Sequence, residues 1–302
     1  MTAPKKHSKR ALVSLIILNY NGKDDSLEFL ESIKKTDYQN YEIVVVDNAS
    51  TDGSVEAIRE NFPKVKIVEN KKNLGFSAGM NSGIRKSKGK YVVIMDNDRY
   101  IFQKEWLSLL VEAAESDEKI GIVIPMLLYY RTNTIQLVGQ VAPLSTKITS
   151  ATFLLGLNEE DKGQFSDVFD IVAGNGLIKK EVLEKIGLFD EKMCRYFEET
   201  DLCYRAKRSG YRTVAQPRSK MWHKGSATIN ARSYFSIYEN YKNKLRYILK
   251  NYGPFTKTLA IGFNLVYYSY LMLFYALTNR LRLSKCIIDG IVWNFKNWKD
   301  YI

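Results

Sequence analysis

The chain has 302 residues, 45% hydrophobic and 26% charged, with 20 Tyr, 14 Phe and 4 Trp; that suffices for one domain of roughly 200–250 residues plus an appendage, and it is too apolar for a disordered chain. Six prolines and 18 glycines exclude collagen-like or low-complexity sequence; three cysteines (Cys194, Cys203, Cys286) exclude a disulfide scaffold and fit a reducing compartment, and with no CxxC pair among them a thiolate zinc site is not expected. The net charge of +12 sits at the ends: residues 1–10 hold +4, residues 231–302 hold 11 Lys/Arg against 3 Asp/Glu, and the stretch between is neutral. Basic ends on a neutral body suit an anionic membrane surface better than nucleic acid, whose binding domains carry the positive patch on the fold itself.

In chain order, Leu12–Leu18 is an aliphatic run expected to be a strand buried on both faces. It ends in NYNG rather than a cleavage site, so no secretory leader is read and the body is expected to stay in the cytoplasm. A helix is predicted over Asp24–Lys35, a strand over Tyr41–Val46, a helix over Ser54–Asn61 and a strand over Val65–Val68. Gly75–Lys88 reads as loop and helix with Gly89 as its C-cap, and Tyr91–Met95 as a fourth strand. This alternation predicts an α/β fold with a mostly parallel sheet and helices on both faces. Helix is predicted over Glu105–Ser116 and strand over Ile120–Pro125; residues 126–170 follow no clear period. Further on come a strand and turn over Asp170–Lys179, helices over Glu181–Ile186 and Phe197–Ser209, and two short strands, Arg212–Ala215 and Met221–His223. The organisation expected is a basic tail 1–10, a body 11–230 split near residue 100, and a helical, basic and apolar extension 231–302.

Within that extension, Thr258–Leu277 runs for 20 residues without a charge between basic flanks. At 1.5 Å per residue it could just span a bilayer. Basic clusters on both sides favour a segment lying in or dipping into the cytoplasmic leaflet over a single crossing. A helix packed on the body or on a second copy is the remaining reading.

In sheets of this kind ligands bind beyond the carboxyl ends of the strands. There stand Asn19-Tyr20-Asn21-Gly22, Asp47-Asn48-Ala49-Ser50, Asn73-Leu74-Gly75 and Asp96-Asn97-Asp98, one polar cluster per strand, which points to one shared crevice. Asp96-x-Asp98 is a hard-oxygen pair suited to Mg²⁺ or Mn²⁺. Glu198, Glu199 and Asp201 open a predicted helix; acids there complement the helix dipole, or one serves as a general base toward a hydroxyl. Glu198 and Asp201 share a face at i, i+3. His223, one of two histidines with His7, is a candidate additional metal ligand.

In order, VSLIILNYNG, VVVDNASTDGS, NKKNLGFSAGMNSGIRKSKGKYVVIMDND, AGNGLIKKEVLEKIGLFDE, YFEETDLCYRAKRSGY and WHKGSA resemble the motifs of the family 2 glycosyltransferases with the GT-A fold, over roughly residues 12–250. The wording is most similar to the rhamnosyltransferase-like subgroup, which adds sugars to surface polysaccharides. The resemblance implies that Asp47 and Asn48 hold the nucleotide base and that Asn73 and Asn81 shape its pocket, with Asn19, Asn21 and Asn97 beside them. It makes Asp98 the main ligand of a divalent cation, supported by Asp96 and His223, and places Gly174, Asn175 and Asp201 at the sugar and acceptor. Glu199 takes the slot of the family's catalytic Asp, with Glu198 the runner-up. Two departures stand out: Glu for Asp at the base, and Asp-Asn-Asp for the subgroup's Asn-Pro-Asp at the metal, which weakens the claim to rhamnose. The implied reaction is inverting transfer from a nucleotide-diphosphate sugar, such as dTDP-rhamnose or a UDP-sugar, to a glycan acceptor, one that is lipid-linked if the extension attaches to a membrane. A polyprenyl-phosphate glycosyltransferase is the related alternative, although its Asp-Ala-Asp-Leu-Gln motif is absent; an inactive sugar-nucleotide-binding scaffold is the alternative of another class.

Overall fold

The computed structural model describes residues 10–138, 140–141, 151–152, 168–171, 174–225 and 233–301. The basic tail, apart from Arg10, lies outside them, as do parts of 126–170 and of the 222–227 motif.

The first half runs β1 (Val13–Asn19), α1 (Lys23–Ile33), β2 (Tyr41–Asp47), α2 (Ser54–Asn61), β3 (Lys66–Glu69), α3 (Gly75–Lys86) and β4 (Tyr91–Asp96). These are the predicted elements, within two residues at most ends. Then come β5 (Arg99–Tyr100), α4 (Trp106–Glu115), β6 (Ile120–Tyr129), β7 (Ile135–Leu137), β8 (Gln140–Val141), β9 (Ala151–Thr152), β10 (Phe169–Asp170) and β11 (Leu177–Lys179). The chain continues through α5 (Lys180–Ile186), α6 (Glu198–Arg208), β12 (Arg212–His223), α7 (Tyr234–Asn251), α8 (Pro254–Leu277) and α9 (Leu281–Lys296).

One mixed sheet has the order β10-β12-β6-β11-β4-β1-β2-β3, with β5 on β12 and β7 on β6. The β3-β2-β1-β4 half is parallel, as the alternation predicts. Short β11 is inserted antiparallel between β4 and β6, and β10, β5 and β7 also run antiparallel. Both sheet faces are buried. Leu15, Ile17 and Val45 meet α1 and α4 through Phe29, Leu30, Trp106 and Leu110. Ile16, Val44 and Val46 meet α3, α5 and α6 through Met80, Ile84, Leu183 and Leu202. Adjacent residues facing opposite layers explain why the strands read as unbroken aliphatic runs.

Two local expectations are corrected. Gly89 is not the cap of α3, whose C-cap is Ser87; a Cβ at Gly89 would lie 2.6 Å from Ser14 N, so close approach to β1 demands glycine there. The two strands expected at 212–223 are one, β12, whose pairing with β6 slips between Gln216 and Lys220. Pro217, unable to donate to the ladder, sits in that irregularity and makes the strand look interrupted.

Candidate functional site

The parallel registers set Asn19 beside Asp47 and Leu18 beside Asp96, so the polar strand ends line one edge of the sheet. They are knitted together. Asn19 Nδ2 donates to Asp47 Oδ1 at 2.9 Å and to Ser50 Oγ at 3.1 Å, while Asn19 Oδ1 accepts from Ser26 Oγ and Asn97 Nδ2, each at 2.9 Å. Asp47 Oδ2 accepts from Ser50 N at 2.8 Å, and Asn21 Oδ1 from Thr51 N at 2.8 Å. Asn48 Nδ2 reaches Asn73 Oδ1 and Gly75 O, and its Oδ1 accepts from Asn70 Nδ2. Asn19, Asp47 and Asn48 are therefore buried framework groups that shape the loops of the crevice. Asn81 is placed differently from expectation. It is buried, and its amide is consumed by Phe189 O, Phe189 N and the Glu191 carboxylate, so it ties α3 to the 189–191 segment.

At the end of β4, Asp96, Asp98 and His223 offer ligand atoms that all lie within 4.8 Å of one another. Strand pairing brings this about: β5 follows the Asp96–Asp98 turn and pairs with β12 by His223↔Arg99. His223 Nε2 lies 3.1 Å from Asp98 Oδ1, a buried oxygen with no well-angled hydrogen bond. At its other nitrogen, Nδ1, the imidazole meets Gln136 Oε1 at 2.6 Å. An oxygen there would accept from Nδ1–H and leave Nε2 to face Asp98. One imidazole with two carboxylates is a donor set that fits Mg²⁺ or Mn²⁺. Burial pushes the Asp98 carboxyl up, but the adjoining His223 and then Arg99 outweigh it and hold it below its ordinary range. Arg99 is itself buried, with Nη2 3.5 Å from Asp96 Oδ2 and no partner at Nε. Lys224 N donates to Asp98 O, and its ammonium pairs with Asp25 and Glu28, fixing the turn to α1.

Glu198 and Glu199 form the first turn of α6. Tyr196 and Phe197 just before them have φ of 69° and 67°. Two successive left-handed residues, neither Gly nor Asn, cost about 1–3 kcal/mol each and persist only where the surroundings impose them. Oε2 of each glutamate is buried without a partner. Burial raises both carboxyls above their ordinary range, that of Glu198 furthest with the Glu199 charge next, and Asp96 pushes both the same way.

Asp201 departs from expectation. It has no exposed surface, and its oxygens accept from Arg205 Nε at 2.8 Å, Lys250 Nζ at 3.0 Å and Asn251 Nδ2 at 2.8 Å. It is a latch between α6 and α7, with no oxygen left for an acceptor sugar. Ile94 N donates to Gly176 O at 3.0 Å, which runs Gly174 and Asn175, the residues expected at the sugar and acceptor, beside Met95 and Asp96. Sequence reasoning missed Gln136, Arg99 and the α7 contacts. Only Arg99 carried a signal, adjacency to the acidic pair.

The model of the family described as Glycosyl transferase family 2 matches residues 14–187. The chain is 28% identical over 233 residues to the uncharacterized protein y4gI of Sinorhizobium fredii, covering 72% of this chain and 25% of that protein. It is 32% identical over 114 residues to glycosyltransferase GlyG of Streptococcus pneumoniae, covering 37% and 38%. The chain thus spans well under half the length of these curated relatives. Among solved structures, it is similar to the mannosyltransferase PcManGT from Pyrobaculum calidifontis in complex with GDP-Man and Mn²⁺, with TM-score 0.57, 19% identity, and 95% of this chain and 87% of that one covered. It is likewise similar to S. aureus TarS 1–349 in complex with UDP-GlcNAc, with TM-score 0.60, 19% identity and coverage of 92% and 79%.

Proposed function

The chain belongs to glycosyl transferase family 2 and has the GT-A fold, and from that premise we propose that it transfers a sugar, with inversion, from a nucleoside-diphosphate sugar to a hydroxyl of a glycan acceptor. The observation that carries this reading is the meeting of Asp96, Asp98 and His223 at one point, with the buried, unpartnered oxygens of Glu198 and Glu199 close enough to feel the Asp96 charge. Asp98, Asp96 and His223 would hold a divalent cation, which would supply charge neutralisation for a departing diphosphate. Gln136, accepting at Nδ1, would leave Nε2 of His223 free for that position. Glu199, or Glu198 in its place, takes the acceptor proton as the new bond forms. A raised carboxyl pKa suits this task, because it brings the base closer to working pH. The strand-end loops built on Asn19, Asp47, Asn48 and Asn73 receive the nucleotide, and Asn175 lines the sugar. GDP-Man and UDP-GlcNAc, the donors in the similar solved complexes, head the candidates, with dTDP-rhamnose beside them.

The acceptor is lipid-linked in this reading, because α8 suits a membrane surface. Only Ala260, Asn264 and Tyr268, one stripe at i, i+4, i+8, are buried on α8. Phe255, Val266 and Leu277 are 73–78% exposed, and Leu281, Ile288, Val292 and Phe295 extend the apolar surface along α9. Lys257, Arg280, Arg282 and Lys285 flank it, as attachment to an anionic leaflet requires. The test is a binding panel of nucleotide sugars with and without Mn²⁺, read by calorimetry. One donor should bind tightly only with the metal; equal, weak binding of every member in both conditions would refute the reading.

A further inference from the structure

We propose that Asn243, on α7 and outside every motif of the family resemblance, is a positioning residue that holds the Glu198–Glu199 pair in its working place. Asn243 is fully buried. Its Nδ2 donates to Arg195 O at 2.7 Å and Tyr196 O at 3.2 Å, the carbonyls that lead into the left-handed Tyr196-Phe197 turn. Glu239 Oε2, at 3.1 Å, accepts from the same amide, and Lys242 pairs with Glu239 at 2.6 Å. Asn243 Oδ1 is left buried with no partner. The opposite amide orientation would set an oxygen against two carbonyls and a carboxylate, so the fold tolerates an unsatisfied acceptor in order to donate to this turn. The Phe197 ring packs on Tyr247 with centroids 5.9 Å apart, a second hold by α7 on the same residues. Other contacts that dock α7 on the body run through other groups: Arg246 and Lys250 onto Asp190, and Lys250 and Asn251 onto Asp201. Those contacts anchor the helix without touching the turn. Asn243 alone among them grips the backbone immediately before the acid pair.

A turn held against its backbone preference relaxes when its clamp is removed, and both glutamates move with it. Helix α7 then positions the acid pair and is not merely an attachment. This inference rests on reading the pair as the base. The test uses the full chain with Mn²⁺ and the panel's best nucleotide sugar, read as kcat and donor KM for hydrolysis. Asn243→Ala should lower kcat by about tenfold or more, the scale on which small misplacements act, with donor KM and Mn²⁺ affinity unchanged. Asn243→Ser, which keeps one donor, should recover part of the loss. The matched control is Asn294→Ala. Asn294 is equally buried and donates to Lys242 O at 2.8 Å from α9, away from the turn, so its kcat should stay at the wild-type value. Wild-type kcat in Asn243→Ala, or an equal loss in Asn294→Ala, overturns the proposal. So does failure of both Asn243 variants to fold while Asn294→Ala folds, which makes the role architectural. If Glu198→Gln and Glu199→Gln both keep full kcat, it is the reading of the base that has failed instead.

Discussion

Replacing Asp201 by Asn separates a latch from an acceptor contact. The carboxylate is wholly buried and receives three donors, from Arg205, Lys250 and Asn251. The substitution turns one acceptor oxygen into a donor facing donors, and breaking a buried ionic network by removing one partner costs about 3–5 kcal/mol. The neighbours temper the loss. Lys250 keeps Asp190 at 3.0 Å, and Arg205 keeps the carbonyls of Ile186 and Leu188 at 2.7 and 2.8 Å, so neither cation is orphaned. The lower end, about 3 kcal/mol, is therefore expected, and at roughly 2 °C per kcal/mol for a chain of this size the midpoint falls by about 6 °C. Thermal and urea unfolding of the variant against wild type measures this, with acceptor KM followed on the folded fraction. A midpoint within a degree or two of wild type together with a raised acceptor KM would refute the latch and return Asp201 to the acceptor site.

Gln136→Leu removes the acceptor that orients His223 and should weaken Mn²⁺ binding by about 10–100-fold, measured by electron paramagnetic resonance titration; unchanged affinity would show that the imidazole needs no such partner. Glu199→Gln should lower turnover by roughly 10²-fold or more with donor affinity unchanged, and a severe Glu198→Gln beside a mild Glu199→Gln would exchange the two roles. Because both carboxyls are raised, the folded state binds these protons more tightly than the unfolded chain, a contribution that is favourable at low pH and lost as pH rises through the raised values. Glu198→Gln should therefore melt higher than wild type at pH 8, the kcat–pH profile should fall off on the acid side above the ordinary glutamate range, and an unchanged midpoint would contradict the burial argument. The triple variant Phe255→Glu, Val266→Glu, Leu277→Glu should stay in the supernatant with anionic liposomes at low salt where wild type sediments; wild type remaining in the supernatant would remove the membrane from the account.

The strand ends were legible because aliphatic runs, each closed by Asn or Asp, leave little choice of register or direction in a parallel sheet. The acidic pair of β4 followed from the same logic. The antiparallel insertion of β11 was not legible, since three residues carry no usable period and only tertiary pairing fixes them. Gln136 was hidden for a similar reason, on a three-residue strand inside the stretch without periodicity. The i, i+3 argument grouped Glu198 with Asp201, and the structure divides them: Asp201 is committed to cations on α6 and α7, whereas Glu198 shares its unpartnered state with Glu199. Helical spacing gives the face of a residue but not what lies opposite. The Tyr196-Phe197 turn that aims the pair had no glycine or asparagine to announce it, and its hold comes from Asn243, nearly fifty residues later.

That Asp98 anchors a metal-dependent glycosyl transfer is tested by the release of nucleoside diphosphate from the bound nucleotide sugar by wild type and by Asp98→Ala, each with and without Mn²⁺. Asp98 lies in the turn between β4 and β5, so the variant should remain folded by circular dichroism. Wild type should release it only with Mn²⁺ and the variant not at all; near-equal release by the two folded proteins would show that Asp98 is not the anchor.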